Sequence, residues 1–139
     1  MSAAADIFAH HLEVFGNGDM DGILSDYSDY SDYSEDSVMM YGDKQFTGLA
    51  GAREFFNLWL NDWIPAGSRF DLIDMQTSDD MVYITWTAES ENYVFDFGTD
   101  TFIMRNGKVW RQTVATAHCK NNCASTGLIG RYTHVRGWC

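Results

Sequence analysis

Apolar residues recur at helical spacing in the first third of the chain and at alternating spacing over much of the rest. Ile7, Phe8, Leu12 and Phe15 share one face of a helix that Ser2 can cap and Gly16-Asn17-Gly18 stops. Asp19 can cap a short second helix that turns Met20, Ile23 and Leu24 inward, with Tyr27 just beyond them. Ser37–Tyr41 reads as a short strand. Thr47 can cap a third helix from Gly48 to Trp63, where Leu49, Ala52, Phe56, Trp59, Leu60 and Trp63 form one stripe. Pro65 and Gly67 end it. Four strands are predicted after it: Arg69–Thr77, Met81–Glu89, Tyr93–Met104 and Lys108–His118. The turn between the last two is Asn106-Gly107, a two-residue hairpin loop.

Helices grouped before an antiparallel meander imply an α+β fold, with the helices packed on one face of the sheet. Residues 1–118 read as one domain and 119–139 as an irregular, basic, cysteine-containing tail. Residues 25–36 hold three tandem Ser-Asp-Tyr units, and a period of three fits neither a helix face nor a strand face. This stretch reads as a polar loop extension.

The chain has 139 residues, enough for one domain with a sizeable core. Its 15% aromatic content exceeds what a disordered chain carries and suffices to line a pocket. No apolar run approaches the ~18 residues of a membrane-spanning helix, and the N-terminus lacks the basic and apolar regions of a signal peptide. A cytoplasmic protein with reduced thiols is expected from its three cysteines. All 20 acidic residues lie in the first 100 positions, while the last 39 carry six basic residues and no acidic one. The two parts can pair internally, or the C-terminal segment can bind anions. A net charge of −11 disfavours general binding to nucleic acid, whose phosphates most of this surface would repel.

Five segments, in order, carry a family resemblance: GNGDMDGILSDY, TGLAGAREFF, YITWTAES, GTDTFIMRNGKVWRQ and ATAH. Together they resemble the SnoaL-like branch of the nuclear transport factor 2-like superfamily, over about residues 5–118. The resemblance implies a cone-shaped α+β barrel, in which three N-terminal helices pack on a strongly bent, mostly antiparallel sheet that encloses a pocket. It also implies a homodimer through the convex sheet face. Members include isomerases, dehydratases, cyclases, epoxide hydrolases and plain binding proteins. Two features depart from the pattern: the branch has one Asp-Tyr where this chain has three, and the segment after His118 matches nothing in it.

Strand parity places the candidate chemistry. Val82, Ile84, Trp86 and Ala88 should face the helices. A regular hairpin at Asn106-Gly107 pairs Ile103 with Trp110 and Thr101 with Gln112, so that Asp100, Phe102, Met104, Val109 and Arg111 share one face. Thr101, Ile103, Trp110, Gln112 and Val114 share the other, with His118 further along. A bulge at Gly98 or near Gln112 would exchange parts of this assignment.

Asp100 is the candidate catalytic acid or base, because Phe102 and Met104 on its own face desolvate it and burial raises a carboxyl pKa. The competing reading is an ion pair with Arg111, diagonal to it. The resemblance implies a tyrosine at the pocket mouth, for which Tyr27 and Tyr33 compete; the other candidate binding residues are Trp59 and Trp86 as walls, Gln112 as an orienting amide and His118 as a proton shuttle. Each has a plainer reading as core or sheet-face packing. His10 and His11 are adjacent on a helix, so at most one faces the core. His118, Cys119, Cys123, His134 and Cys139 fit no standard zinc spacing, and neither metal nor cofactor is expected. Two functions follow. One is an enzyme doing cofactor-free general acid–base chemistry on a small, largely apolar molecule (an isomerase, dehydratase, cyclase or hydrolase). The other is a non-catalytic pocket protein or dimeric adaptor of the same fold. No nucleic acid or membrane partner is expected.

Overall fold

A computed structural model describes residues 3–27 and 36–121. It opens on two helices, α1 (Ala3–Gly16) and α2 (Met20–Leu24). Asp19 caps α2, its carboxylate accepting from the Gly22 N–H at 3.0 Å. Strands β1 (Val38–Tyr41) and β2 (Lys44–Thr47) pair antiparallel. Helix α3 (Gly48–Leu58) runs on into a single π-helical turn, Trp59–Trp63. Four long strands complete the fold: β3 (Arg69–Ser78), β4 (Met81–Glu89), β5 (Tyr93–Arg105) and β6 (Lys108–Lys120). Strand β2 was not foreseen, since its four residues bury only Phe46 and give no pattern to read. Among the described residues no helix is long and apolar enough to cross a membrane.

The six strands form one mixed sheet in the order β2-β1-β6-β5-β4-β3. Every neighbouring pair is antiparallel except β1 and β6, where Val38 lies beside Arg111 and Tyr41 beside Val114 in parallel. The alternation read along β4 holds: Val82, Ile84, Trp86 and Ala88 are all buried, while Met81, Tyr83 and Glu89 are exposed. Helix α1 sets Phe8 against Phe102 of β5, ring centroids 5.4 Å apart, and α3 sets Phe55 and Phe56 into the same core. Each such burial is worth about 1.5–3 kcal/mol. The inward face of α1 is centred on Ala4, Phe8 and His11; Ile7, Leu12 and Phe15 flank it, partly buried.

The pairing registers show three single-residue bulges, at Ile73 on β3, at Asp96 on β5 and at Trp110 on β6. The bulge at Trp110 corrects the hairpin register. Arg105 does pair with Lys108, but Ile103 then pairs with Arg111 and Phe102 with Gln112. Gln112 and Val114 therefore turn inward beside Asp100, and Arg111 turns away. The ion pair with Arg111, the competing reading of Asp100, does not form. Arg111 instead donates to the backbone oxygens of Asp36 and Trp110, both at 3.0 Å, and its guanidinium lies 3.9 Å from the Trp110 ring centroid. Arg105 lies 3.6 Å from the same centroid. Cation–π attraction from both compensates for placing an indole where the strand is irregular. Strand β6 continues through Cys119 and Lys120, two residues past its expected end, and the Asn121 N–H donates to the Asn92 carbonyl at 2.9 Å. Most of the Ser-Asp-Tyr repeat, with Tyr33, lies outside the described residues, as do Cys123, His134 and Cys139.

Candidate active site

Three adjacent strands bring Trp86, Asp100 and Gln112 to one buried spot. Asp100 pairs with Ile84 on one side and Val114 on the other, in the middle of β5. Trp86 lies two residues along β4, opposite Gly98. A Cβ at position 98 would stand 2.3 Å from the Trp86 ring, so glycine is what lets the indole lie against the strand. From there the Trp86 Nε1–H donates to Asp100 Oδ1 at 2.7 Å. The Gln112 amide donates to Asp100 Oδ2 at 2.9 Å. Tyr27, held to β6 by a bridge with Val109, donates its hydroxyl to Gln112 Oε1 and so fixes which way the amide points. The polar chain thus runs Tyr27 to Gln112 to Asp100, with Trp86 as the second donor.

Asp100 is 9% exposed. Burial pushes its pKa up from 3.8 to about 6, against the opposing pull of the hydrogen bonds from Trp86 and Gln112. The carboxylate is ionised at neutral pH yet far more basic than an ordinary aspartate. Burial also raises the Tyr27 phenol well above its usual value, and the charges of Asp100 and Asp26 add to that, so Tyr27 stays a donor. Removing its hydroxyl should leave Gln112 Oε1 buried without a donor. Tyr27→Phe is therefore expected to cost about 1–3 kcal/mol in urea unfolding. With the amide free to turn, the Asp100 titration followed by NMR should move further up.

Asp100 lines a chamber of about 40 Å³ together with His11, Trp59, Trp86 and Gln112 and an otherwise apolar wall. A larger groove of about 250 Å³ adjoins it, running past Gly16, Pro65 and Leu72. The two share Leu12, Phe15, Ile64 and Phe70, which stand between the chamber and the groove. Trp59 is placed by the π turn at the end of α3, a geometry that recurs at functional sites.

Sequence reasoning left His10 and His11 undecided, and the structure turns His11 inward. It sits on α1 between Phe8 and Phe15, 6% exposed, with its ring against Phe15, Tyr27, Phe56 and Phe102 at centroid distances of 5.4–6.3 Å. Burial, with the neighbouring His10 assisting, lowers its pKa from 6.5 to about 4, so it is neutral at physiological pH. Its position three residues from Phe8 and four from Phe15 was the available signal. The adjacent His10 turns outward and meets both oxygens of Asp26 at 2.9 Å. Asp26 in turn accepts the Val109 N–H on its backbone oxygen at 2.7 Å, which ties the end of α2 to β6.

Of the residues expected at the site, Asp100, Trp59, Trp86 and Gln112 line the chamber. Tyr27 is one hydrogen bond behind it. His118 lies apart: it stacks on Phe95 at 4.9 Å and shares a hydrogen bond with Thr116, which is bonded in turn to Tyr41. No other acid named above joins Asp100 in the chamber: Asp19 caps α2. Asp74 and Asp96 are exposed, and Asp26 is paired with His10. Among the described residues Asp100 is the one carboxylate lining the chamber.

Residues 8–112 match the SnoaL-like domain. Three solved structures show the same fold. The epoxide hydrolase/cyclase-like enzyme SalBIII of pyran ring formation in the polyether salinomycin is 19% identical, with 81% of this chain and 89% of that chain covered and a TM-score of 0.65. A candidate ketosteroid isomerase from Kribbella flavida is 10% identical, covering 82% and 77%, with a TM-score of 0.65. A candidate polyketide cyclase from Sinorhizobium meliloti is 11% identical, covering 78% and 93%, with a TM-score of 0.60. No curated protein matches the sequence.

Proposed function

The chain belongs to the SnoaL-like domain family, and from that premise we propose that it is a cofactor-free enzyme in which Asp100 moves a proton on a small, largely apolar molecule. The observation that carries this reading is a basic carboxylate that opens on a chamber instead of pairing with a cation. Asp100 takes a proton from carbon, and the hydrogen bonds from Trp86 and Gln112 stabilise its charged form until it does. The same carboxyl then returns the proton, to a neighbouring carbon in an isomerisation, to the departing hydroxyl in a dehydration, or, in an aldol-type ring closure, to the carbonyl oxygen whose π bond breaks as the new carbon–carbon bond forms. A single carboxyl suffices for such a shuttle, and a pKa near 6 suits a base working near neutrality. In this reading the six-stranded sheet and the helices packed on it carry the chamber, in an open sheet and not the closed barrel the resemblance implies, and the groove past Phe15 and Phe70 is the entry.

Hydrogen–deuterium exchange into a panel of small apolar carbon acids, followed by NMR in D2O, reads proton abstraction directly. Exchange above buffer by the wild type, lost by about 10²–10⁴-fold in Asp100→Asn, is the expected result. Specific binding without any exchange would support the second reading, a non-catalytic pocket protein. That reading is favoured by the small chamber and by two carboxylate oxygens that already accept hydrogen bonds.

The proposal extends to a homodimer through the outer sheet face. Tyr83 and Phe97 are exposed there, with Ile103 and Trp110 half-buried beside them, whereas Val114 belongs to the inner face. Light scattering at tens of micromolar should give about twice the 15.8 kDa of one chain. A monomer mass would remove the dimer and leave the chamber chemistry standing.

A further inference from the structure

Two nitrogens on residues that line the chamber have no hydrogen-bond partner among the described residues: His11 Nδ1 and Trp59 Nε1. Both residues are more than nine-tenths buried, at 6% and 3% exposure. They come from different elements, α1 and the π turn after α3. A buried donor without an acceptor is costly, and native cores tolerate few of them. Trp86 shows the contrast: its indole N–H, on the same chamber, is satisfied by Asp100.

From these observations we infer that His11 and Trp59 are recognition groups for oxygen on the ligand, and that the ligand is an uncharged, mostly hydrocarbon molecule bearing a carbonyl-type oxygen. The indole N–H can only donate, so its partner must be an acceptor. The imidazole is neutral and donates or accepts according to its tautomer. A carboxylate or phosphate ligand finds no lysine or arginine on the chamber wall, and it meets the negative charge of Asp100. A pure hydrocarbon fits the aromatic wall but leaves both nitrogens unpaired. The chamber of about 40 Å³ holds only a few water-sized spheres. Ligand entry therefore requires Phe15, Ile64 and Phe70 to separate, which joins the chamber to the groove of about 250 Å³ and brings the ligand to the two nitrogens.

This inference rests on the proposed small-molecule chamber, and three matched probes separate the two ideas. Cyclohexanone, methylenecyclohexane and cyclohexanecarboxylate share a ring and differ in the attached group. They are to be titrated into the wild-type protein at neutral pH, followed by the indole N–H signals of the tryptophans and by the ring nitrogens of His11. The ketone should bind about threefold to tenfold tighter than its hydrocarbon isostere, as one or two neutral hydrogen bonds imply. The carboxylate should bind weakest, and the Trp59 indole proton should move downfield with the ketone alone. In His11→Phe, which keeps a ring in place, the preference for the ketone should shrink while the hydrocarbon still binds. Equal binding of ketone and hydrocarbon, or ketone binding with the Trp59 indole unmoved, would overturn the inference and leave the chamber reading intact. Failure of all three probes to perturb any chamber residue would overturn both. The indole shift is read on the wild type, so the outcome stands even if His11→Phe folds poorly.

Discussion

Asp100→Asn should turn a nearly flat dependence of stability on pH between about 4 and 6 into a rising one. Asp100 has a folded pKa near 6 against an ordinary 3.8. Between those values the folded state holds a proton that the unfolded state has lost. Stability contributed by this group therefore falls as pH rises through the window, by about 3 kcal/mol in all. His11 acts in the opposite sense. Its folded pKa is about 4 against 6.5, so between those values the unfolded state holds the extra proton and stability rises with pH, again by about 3 kcal/mol. The windows overlap almost completely. In the wild type the two contributions should nearly cancel, and each single variant should expose the other. Asp100→Asn should gain stability steadily from pH 4 to 6.5; His11→Phe should lose it. Urea midpoints measured every half pH unit for the three proteins read this directly. At pH 8 the asparagine variant should stay within about 1–3 kcal/mol of the wild type, because relief from burying a charge offsets the Gln112 donor left facing an amide NH2, while Trp86 keeps an acceptor. A loss of several kcal/mol at pH 8 would mean that Asp100 balances a buried cation after all.

Gly98→Ala should be among the most damaging single-methyl additions in the chain. The new Cβ would stand 2.3, 2.4 and 2.7 Å from three atoms of the Trp86 indole, where real Cβ contacts essentially never come below 3.0 Å. The indole cannot give way easily. Its far side packs on Phe70 at 5.2 Å, with Trp59 and Phe95 close by, at 6.1 and 5.7 Å. Overpacking of this kind costs about 1–3 kcal/mol and sometimes more. Here relief requires the ring to turn, which also removes the Trp86 donor from Asp100 and frees its pKa to climb further. Thermal unfolding should show the loss of stability, and NMR titration of Asp100 should show the upward shift in the same sample. An unchanged midpoint, or a destabilised protein whose Asp100 titrates as before, would separate the glycine from the site.

How legible this was from sequence differs by element. The Asp19 cap of α2, the breakers after α1 and α3 and the Asn106-Gly107 turn are local signals that the structure follows; Thr47 precedes α3 without a side-chain capping hydrogen bond, and Ser2 lies outside the described residues. The β4 alternation survived intact because no bulge interrupts that strand. The hairpin faces did not survive, because one extra residue at Trp110 reverses parity from there on, and nothing local in Val109-Trp110-Arg111 marks it. That single residue decided whether Asp100 met Arg111 or Gln112. Placement of Asp100 in a desolvated setting was readable from Phe102 and Met104; its actual donors were not, since they come from two other strands. His11 was visible as one of an adjacent pair, but choosing it over His10 needed the rotation of α1 on the sheet, which packing alone sets.

The one parallel seam in the sheet also dictates an order of events during synthesis. β1 has no neighbour but β2 until β6 exists, and Arg111 leaves the ribosome about 70 residues after Val38. At ordinary translation rates that is a wait of roughly 4–14 s. The same late strand supplies Gln112 to Asp100, Val109 to Tyr27 and the backbone acceptor for Ser37. A nascent chain stopped before β6 therefore exposes the edge of β5 and leaves its carboxylate with the Trp86 donor alone, without Gln112. Such a chain has high contact order and an open strand to protect. Premature termination should yield an aggregation-prone product for chaperones and proteases, not a partly active one.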